Sequence, residues 1–256
     1  MTDLKQTPEL EICTGDIRSI QAAILGGADR VEICCALPLG GLTPQVSVMK
    51  LSEQFSTQIR RHLLIRPRQG DFLYDDGEME LMKADIADPS FARADGFVIG
   101  ALRPDGSIDT KRVAELIRCA SVHGDKSFTF HRAFDMCADP FRALEDIIEL
   151  GFDRLLTSGC APTAAEGIDT LRRLNEQAAG RIRIMAGGGI NAENARKIAE
   201  HTGITSFHAS CSTRIESRMI FRNQSTHMAA GSSDEYTYPS SSLQLINNLS
   251  ETVHSL

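Results

Sequence analysis

Short runs of β-branched and aromatic residues recur eight times along this chain, and a stretch with helical spacing follows nearly every one. The runs are Leu10–Cys13, Arg30–Cys34, His62–Arg66, Gly96–Ile99, Ser127–His131, Arg154–Thr157, Arg183–Ala186 and Ser206–Ala209. Between them lie Ile17–Leu25, Val46–Gln58, Glu78–Ala92, Thr110–His123, Pro140–Leu150, Ala164–Ala178 and Ala192–His201, with apolar residues at helical intervals. Glycine brakes, as at Gly26 to Asp29 and Gly151 to Asp153, end helices where the next strand starts. Strand and helix alternating over a whole chain require a parallel sheet, because parallel neighbours need long crossovers. The rival arrangement is an open doubly wound sheet, but eight regular units in 256 residues favour closure. The predicted fold is therefore α/β, a TIM-type (β/α)8 barrel over about residues 8–210, in a single domain. Thr213 to Ser242 is polar and aperiodic, which predicts a long loop or tail after the eighth strand. Ser241 or Ser242 is placed to cap a last helix running through Val253.

Charge and composition narrow the function classes. Lys and Arg number 27 against 34 Asp and Glu, so the chain carries −7 and lacks the basic footprint of a nucleic-acid binder. The longest apolar runs, such as Leu63 to Ile65, are far too short to cross a bilayer. The opening residues MTDLKQTPELEIC hold no apolar signal core, so a cytoplasmic location is expected. Seven cysteines, an odd number with no CxxC pair, point to free thiols rather than a disulfide framework or zinc knuckle. Any one of them could equally be a small buried hydrophobe.

In a parallel barrel the active groups sit where strands end, and period-two alternation decides which side chains point inward. Leu10 and Ile12 share one face of the first strand, and Glu9, Glu11 and Cys13 share the other. The second strand repeats the scheme, with Val31 and Ile33 opposed to Glu32 and Cys34. Apolar faces go toward the covering helices, which leaves Glu11 and Glu32 inside. Arg66 ends the third strand, and His131 alternates with Phe128 and Phe130 in the fifth. Glu11, Glu32, Arg66 and His131 are the candidate catalytic group, expected to line one end of the barrel. Such converging polarity marks either a site with shifted pKa values or a structural network of Glu11, Glu32 and Arg66. The planar fork of Arg66 suits a carboxylate or phosphate, and His131 suits acid–base work or metal ligation.

Arg132 and Asp135 follow His131 and are expected to contact substrate, as is Ser158 after the sixth strand. His208, on the eighth strand, is a second candidate for the duties of His131. His62, His123, His201, His227 and His254 read as surface residues. The turn Gly187-Gly188-Gly189 precedes a helix expected near Asn191 and could cradle an anion with its bare amides, assisted by Ser210 and Ser212.

The runs GGADRVEIC (26–34), GGLTP (40–44), IRPRQGDFLY (65–74), FTFHRAFDM (128–136), LLTSG (155–159) and IMAGGGI (184–190) resemble, in that order, the CutC family. With FRN at 221–223 the resemblance spans about residues 9–230. It implies a TIM-type barrel and a cytoplasmic role in copper homeostasis; no enzymatic reaction is firmly attached to the family. It also implies Cu(I) ligation by cysteines ending the first two strands, which match Cys13 and Cys34. Both lie at what looks like one register of neighbouring strands, and soft thiolates suit Cu(I). Two functions follow. One is Cu(I) binding through Cys13 and Cys34. The other is an enzyme acting on a small anionic metabolite by acid–base chemistry, with no organic cofactor. A scaffold for protein association, which explains none of the inward polar groups, is a third reading. Neither nucleic acid nor membrane is an expected partner, and assembly as a homo-oligomer is open to the chain.

Overall fold

The computed structural model describes residues 7–223, 225–226 and 234–256. Eight parallel strands close on themselves: β1 (Glu9–Thr14), β2 (Arg30–Ile33), β3 (Arg60–Leu64), β4 (Gly96–Ile99), β5 (Ser127–Phe130), β6 (Arg154–Thr157), β7 (Arg183–Gly187) and β8 (Ser206–Ala209). The last pairs with the first, Glu11 opposite His208. The covering helices are α1 (Ile17–Leu25), α2 (Val46–Ser52), α3 (Asp76–Ala87), α4 (Thr110–Ser121), α5 (Pro140–Glu149), α6 (Ile168–Ala178), α7 (Ala195–Thr202) and α8 (Leu243–His254). The barrel expected from the alternation is the one observed.

Period two sorts the strand residues as expected. Leu10, Ile12, Val31, Ile33, Phe97, Phe130, Ile184 and Phe207 belong to the large apolar layer between sheet and helices. Cys13, Cys34, Leu64 and Val98 form a separate small apolar cluster inside the barrel. Below it the interior is charged. Arg30, with no exposure, bonds Glu9 and Glu11, and Arg183 reaches the second oxygen of Glu9 at 2.8 Å. Burial works against the ionised Glu9, but Arg30 and Arg154 hold its carboxyl well below the usual range. Buried charges of this density persist only because they are paired.

Helix starts follow side-chain caps. Asp16 accepts from the Ser19 amide, Asp75 and Glu78 complete a capping box, and Asp139 caps α5 ahead of Pro140. Several boundaries differ from the periodicity. α2 stops at Ser52 and tightens into a 3₁₀ turn, α6 begins only at Ile168, and α7 begins at Ala195 rather than near Asn191. In the last case Asn191 Oδ1 accepts from the amides of Glu193 and Asn194, so an Asx turn occupies the expected first turn. β3 runs two residues earlier than expected, which leaves Arg66 beyond its end.

The stretch predicted as a loop contains a hairpin, β9 (Ser212–Glu216) paired antiparallel with β10 (Thr237–Ser241). Its strands carry few apolar residues, so backbone pairing forms them without a hydrophobic signature in the sequence. Ser242 caps α8, which packs against α1 and α7 and completes the helical ring instead of trailing from it.

Candidate functional site

A cavity of about 430 Å³ opens at the carboxyl ends of the strands. Cys13, Glu32, Cys34, Arg66, His131 and His208 all contribute to its wall, with Gly188, Gly189, Arg132 and Ser210 at its margin. Ser212 and Pro239 bring the hairpin base to the rim. Ligand-sized pockets fall in this volume range.

The floor is a triad drawn from three strands. Ligand atoms of Cys13, Glu32 and His208 lie within 4.8 Å of one another. His208 Nε2 is 3.0 Å from Glu32 Oε2 and 3.7 Å from Glu11 Oε1, the second being too long for a hydrogen bond. Burial alone would drive His208 down, but the Cys13 sulfur and the Glu32 carboxylate overcome it and hold the imidazole well above its ordinary value. Cys34 stands two residues beyond the register partner of Cys13, which is Glu32. Its thiol is pushed up by burial first and then by Glu32 and Cys13. The two cysteines are therefore not at one register, as expected from the sequence, but one inward step apart. Residues of neighbouring strands are staggered in a tilted barrel.

Arg66 and His131 stand together on another part of the wall, both in contact with the Phe72 ring. The guanidinium lies 4.7 Å from that ring centre and the imidazole ring 4.9 Å. Arg66 does not pair with Glu11 or Glu32. Its fork donates to the carbonyls of Leu39, Gly41 and Gly70 at 3.1, 3.0 and 2.8 Å. His131 is pushed down to about 3 by burial and by Arg66, so it is neutral. Its Nδ1 accepts from the Ala133 amide at 3.2 Å, which puts the ring proton on Nε2.

Other expected residues lie elsewhere. Glu11 is wholly buried one layer below the cavity with Arg30 and does not line it. Inward alternation placed its side chain in the barrel, but only the register decides its depth. Asp135 and Ser158 sit behind the wall, where Asp135 accepts from Arg132 Nε at 2.6 Å and from the Ser158 hydroxyl at 3.0 Å. Gly187 ends β7 without reaching the cavity. Two histidines read as surface residues are not. His62 is buried inside the barrel, where Gly96 leaves room for its ring, and burial with Arg30 drives it well below its ordinary value. His123 is half-buried. His201 and His254 are exposed, and His227 lies outside the described residues.

Sequence reasoning gave His208 second rank, although Phe207 and Ala209 on either side mark it as inward by the same alternation. It missed Phe72, a loop residue with no periodic signal.

The CutC family model matches residues 8–213. A CutC family protein of Vibrio cholerae serotype O1 is 45% identical over 248 residues, covering 97% of this chain and 96% of its own. The human copper homeostasis protein cutC homolog is 47% identical over 229 residues, 89% of this chain and 82% of that one. The solved structure of CutC from Streptococcus agalactiae superposes with a TM-score of 0.74 at 31% identity, over 79% of this chain and 98% of that chain. A phosphoribosylanthranilate isomerase from Pyrococcus furiosus shares the barrel alone, at 10% identity and a TM-score of 0.56. By sequence and by fold, this chain belongs to the CutC family.

Proposed function

We propose that the cavity binds Cu(I) as part of copper homeostasis in the cytoplasm, with copper as cargo. The observation that carries this reading is the close approach of Cys13, His208 and Glu32 ligand atoms, within 4.8 Å. A thiolate and an imidazole are suited to a soft monovalent ion, and Cys34 on the same wall supplies a second sulfur. Glu32 is a harder donor, and its role is to orient His208, whose Nε2 lies 3.0 Å from its carboxylate. Apolar Leu64 and Val98, clustered with both cysteines, lower the local dielectric and strengthen the attraction between Cu(I) and thiolate. Metal uptake releases protons from the thiols and from His208, so affinity rises with pH.

The test is Cu(I) titration of the reduced protein against a competing chelator. One ion per chain is expected to be lost in Cys13→Ser, and Cys34→Ser should weaken it. Glu32→Gln should reduce affinity about 10–100-fold, as expected for a group that orients a ligand. Unchanged affinity in Cys13→Ser would sink the reading.

The size of the cavity favours a second use. A volume of about 430 Å³ far exceeds one ion and suits a small metabolite. Protonated His208 and its partner Glu32 would then serve as acid and base toward a small anion. Binding of small anions to the metal-free protein tests this reading apart from copper.

A further inference from the structure

We propose that Arg66 and His131 form a carboxylate-binding subsite, which makes the ligand of the anionic-metabolite reading, on which this inference rests, a small organic acid. Arg66 is 6% exposed, and its partners are three backbone carbonyls, all uncharged. Among the described residues no carboxylate lies within ion-pair distance of it. A guanidinium has five N–H donors; three are used here, and buried Nε has no acceptor. The Tyr74 hydroxyl is buried beside Arg66 and is its side-chain polar neighbour, but it is neutral and supplies no counter-charge. Charged groups are seldom left in a protein interior without a partner.

His131 adds a second donor. With Nδ1 accepting from Ala133, Nε2 carries the proton, and it is buried without an acceptor. Both residues line the cavity and both contact Phe72. One unmatched positive charge beside one neutral N–H donor suits a planar, singly charged group with two acceptor oxygens. A phosphate dianion fits less well. The next cation along the wall, Arg132, is already paired with Asp135, and His208 is paired with Glu32. The amides of Asn191, Glu193 and Asn194, beyond the glycine turn, are taken by asparagine side chains.

The experiment titrates the metal-free full chain with lactate, its neutral amide lactamide, and inorganic phosphate. Binding is read by calorimetry and by the ¹⁵N resonance of His131 Nε2. Lactate should bind, shift that resonance, and bind at least about tenfold more tightly than lactamide. His131→Phe should weaken lactate about tenfold or more, and His131→Gln, which keeps a donor, should recover part of the loss. Arg66→Lys should weaken it too, with circular dichroism confirming the fold, because a lysine keeps charge and loses the side donor. If neither lactate nor phosphate binds, the anionic-metabolite reading fails and the subsite with it. If an anion binds but leaves His131 unmoved and survives His131→Phe, the subsite alone is overturned. Phosphate binding tighter than lactate likewise overturns the carboxylate assignment.

Discussion

Arg30 shows how one side chain can decide whether a charged barrel interior is tolerable. It has no solvent exposure and joins Glu9 to Glu11, two buried carboxylates. Replacing it by Met removes the central partner and leaves the negative charges buried. The expected cost is about 3–5 kcal/mol, as for other broken buried pairs, measured as a lowered urea midpoint with an unchanged slope. A loss under about 1 kcal/mol would mean that Arg154 and Arg183 already balance Glu9 by themselves. Arg66, also cationic and buried, behaves differently, because it is tethered to backbone carbonyls and no carboxylate among the described residues answers it. At the residue scale, then, the two buried arginines separate by partner: Arg30 meets carboxylates and Arg66 meets backbone carbonyls.

At the scale of elements, the loop between β6 and α6 sets the back of the cavity wall. Asp135, in the 3₁₀ turn after β5, gathers the Ser158 amide and hydroxyl, the Cys160 amide and Arg132. The same loop returns so closely that a Cβ on Gly167 would stand 1.9 Å from the Ser158 carbonyl oxygen. Backbone meets backbone there, and no rotamer can relieve it. Gly167→Ala should therefore shift Ser158, loosen Arg132 and cost about 1–3 kcal/mol, the range for overpacked sites, read by thermal unfolding. An unchanged melting temperature would mean that the loop has room to move outward. The periodic signal extended α6 back to Ala164 because Ala164 is apolar and buried; its amide instead donates to Gly188, tying this loop to the next one.

For the whole molecule, the buried His62 and His131 and the half-buried His208 predict how stability depends on pH. His62 and His131 are held below their ordinary value, so the unfolded chain takes up protons first as pH falls. Their stabilisation is complete above about 6.5 and is lost below it, by about 1.4 kcal/mol per pH unit for each. His208 has the opposite sign. Its raised value gives stability that is full below about 6.5 and declines as pH climbs toward its folded pKa. Below about 4.5 the depressed Glu9 adds to the acid loss. The expected profile is a dome with its crest near neutrality, measurable as melting temperature from pH 4 to 9. His62→Gln should flatten the acid limb and Glu32→Gln the alkaline one. A profile flat across both limbs would contradict these assignments.

Much of this architecture was legible without coordinates. Eight alternating units imply a closed barrel because each parallel strand needs its own crossover, and alternation sends Glu11, Glu32, Cys13 and Cys34 inward because the strand period is two. Both arguments use only neighbours in the chain. Only the tertiary structure decided which inward groups meet. Glu32 finds His208 from 176 residues away, Glu11 sinks to Arg30, and Cys13 faces Glu32 before Cys34. Those choices depend on the stagger between strands, which is set when the last strand closes on the first. The partners of Arg66 depend on loops that carry no period at all. Local periodicity determined the direction of each side chain, and ring closure determined its depth and company.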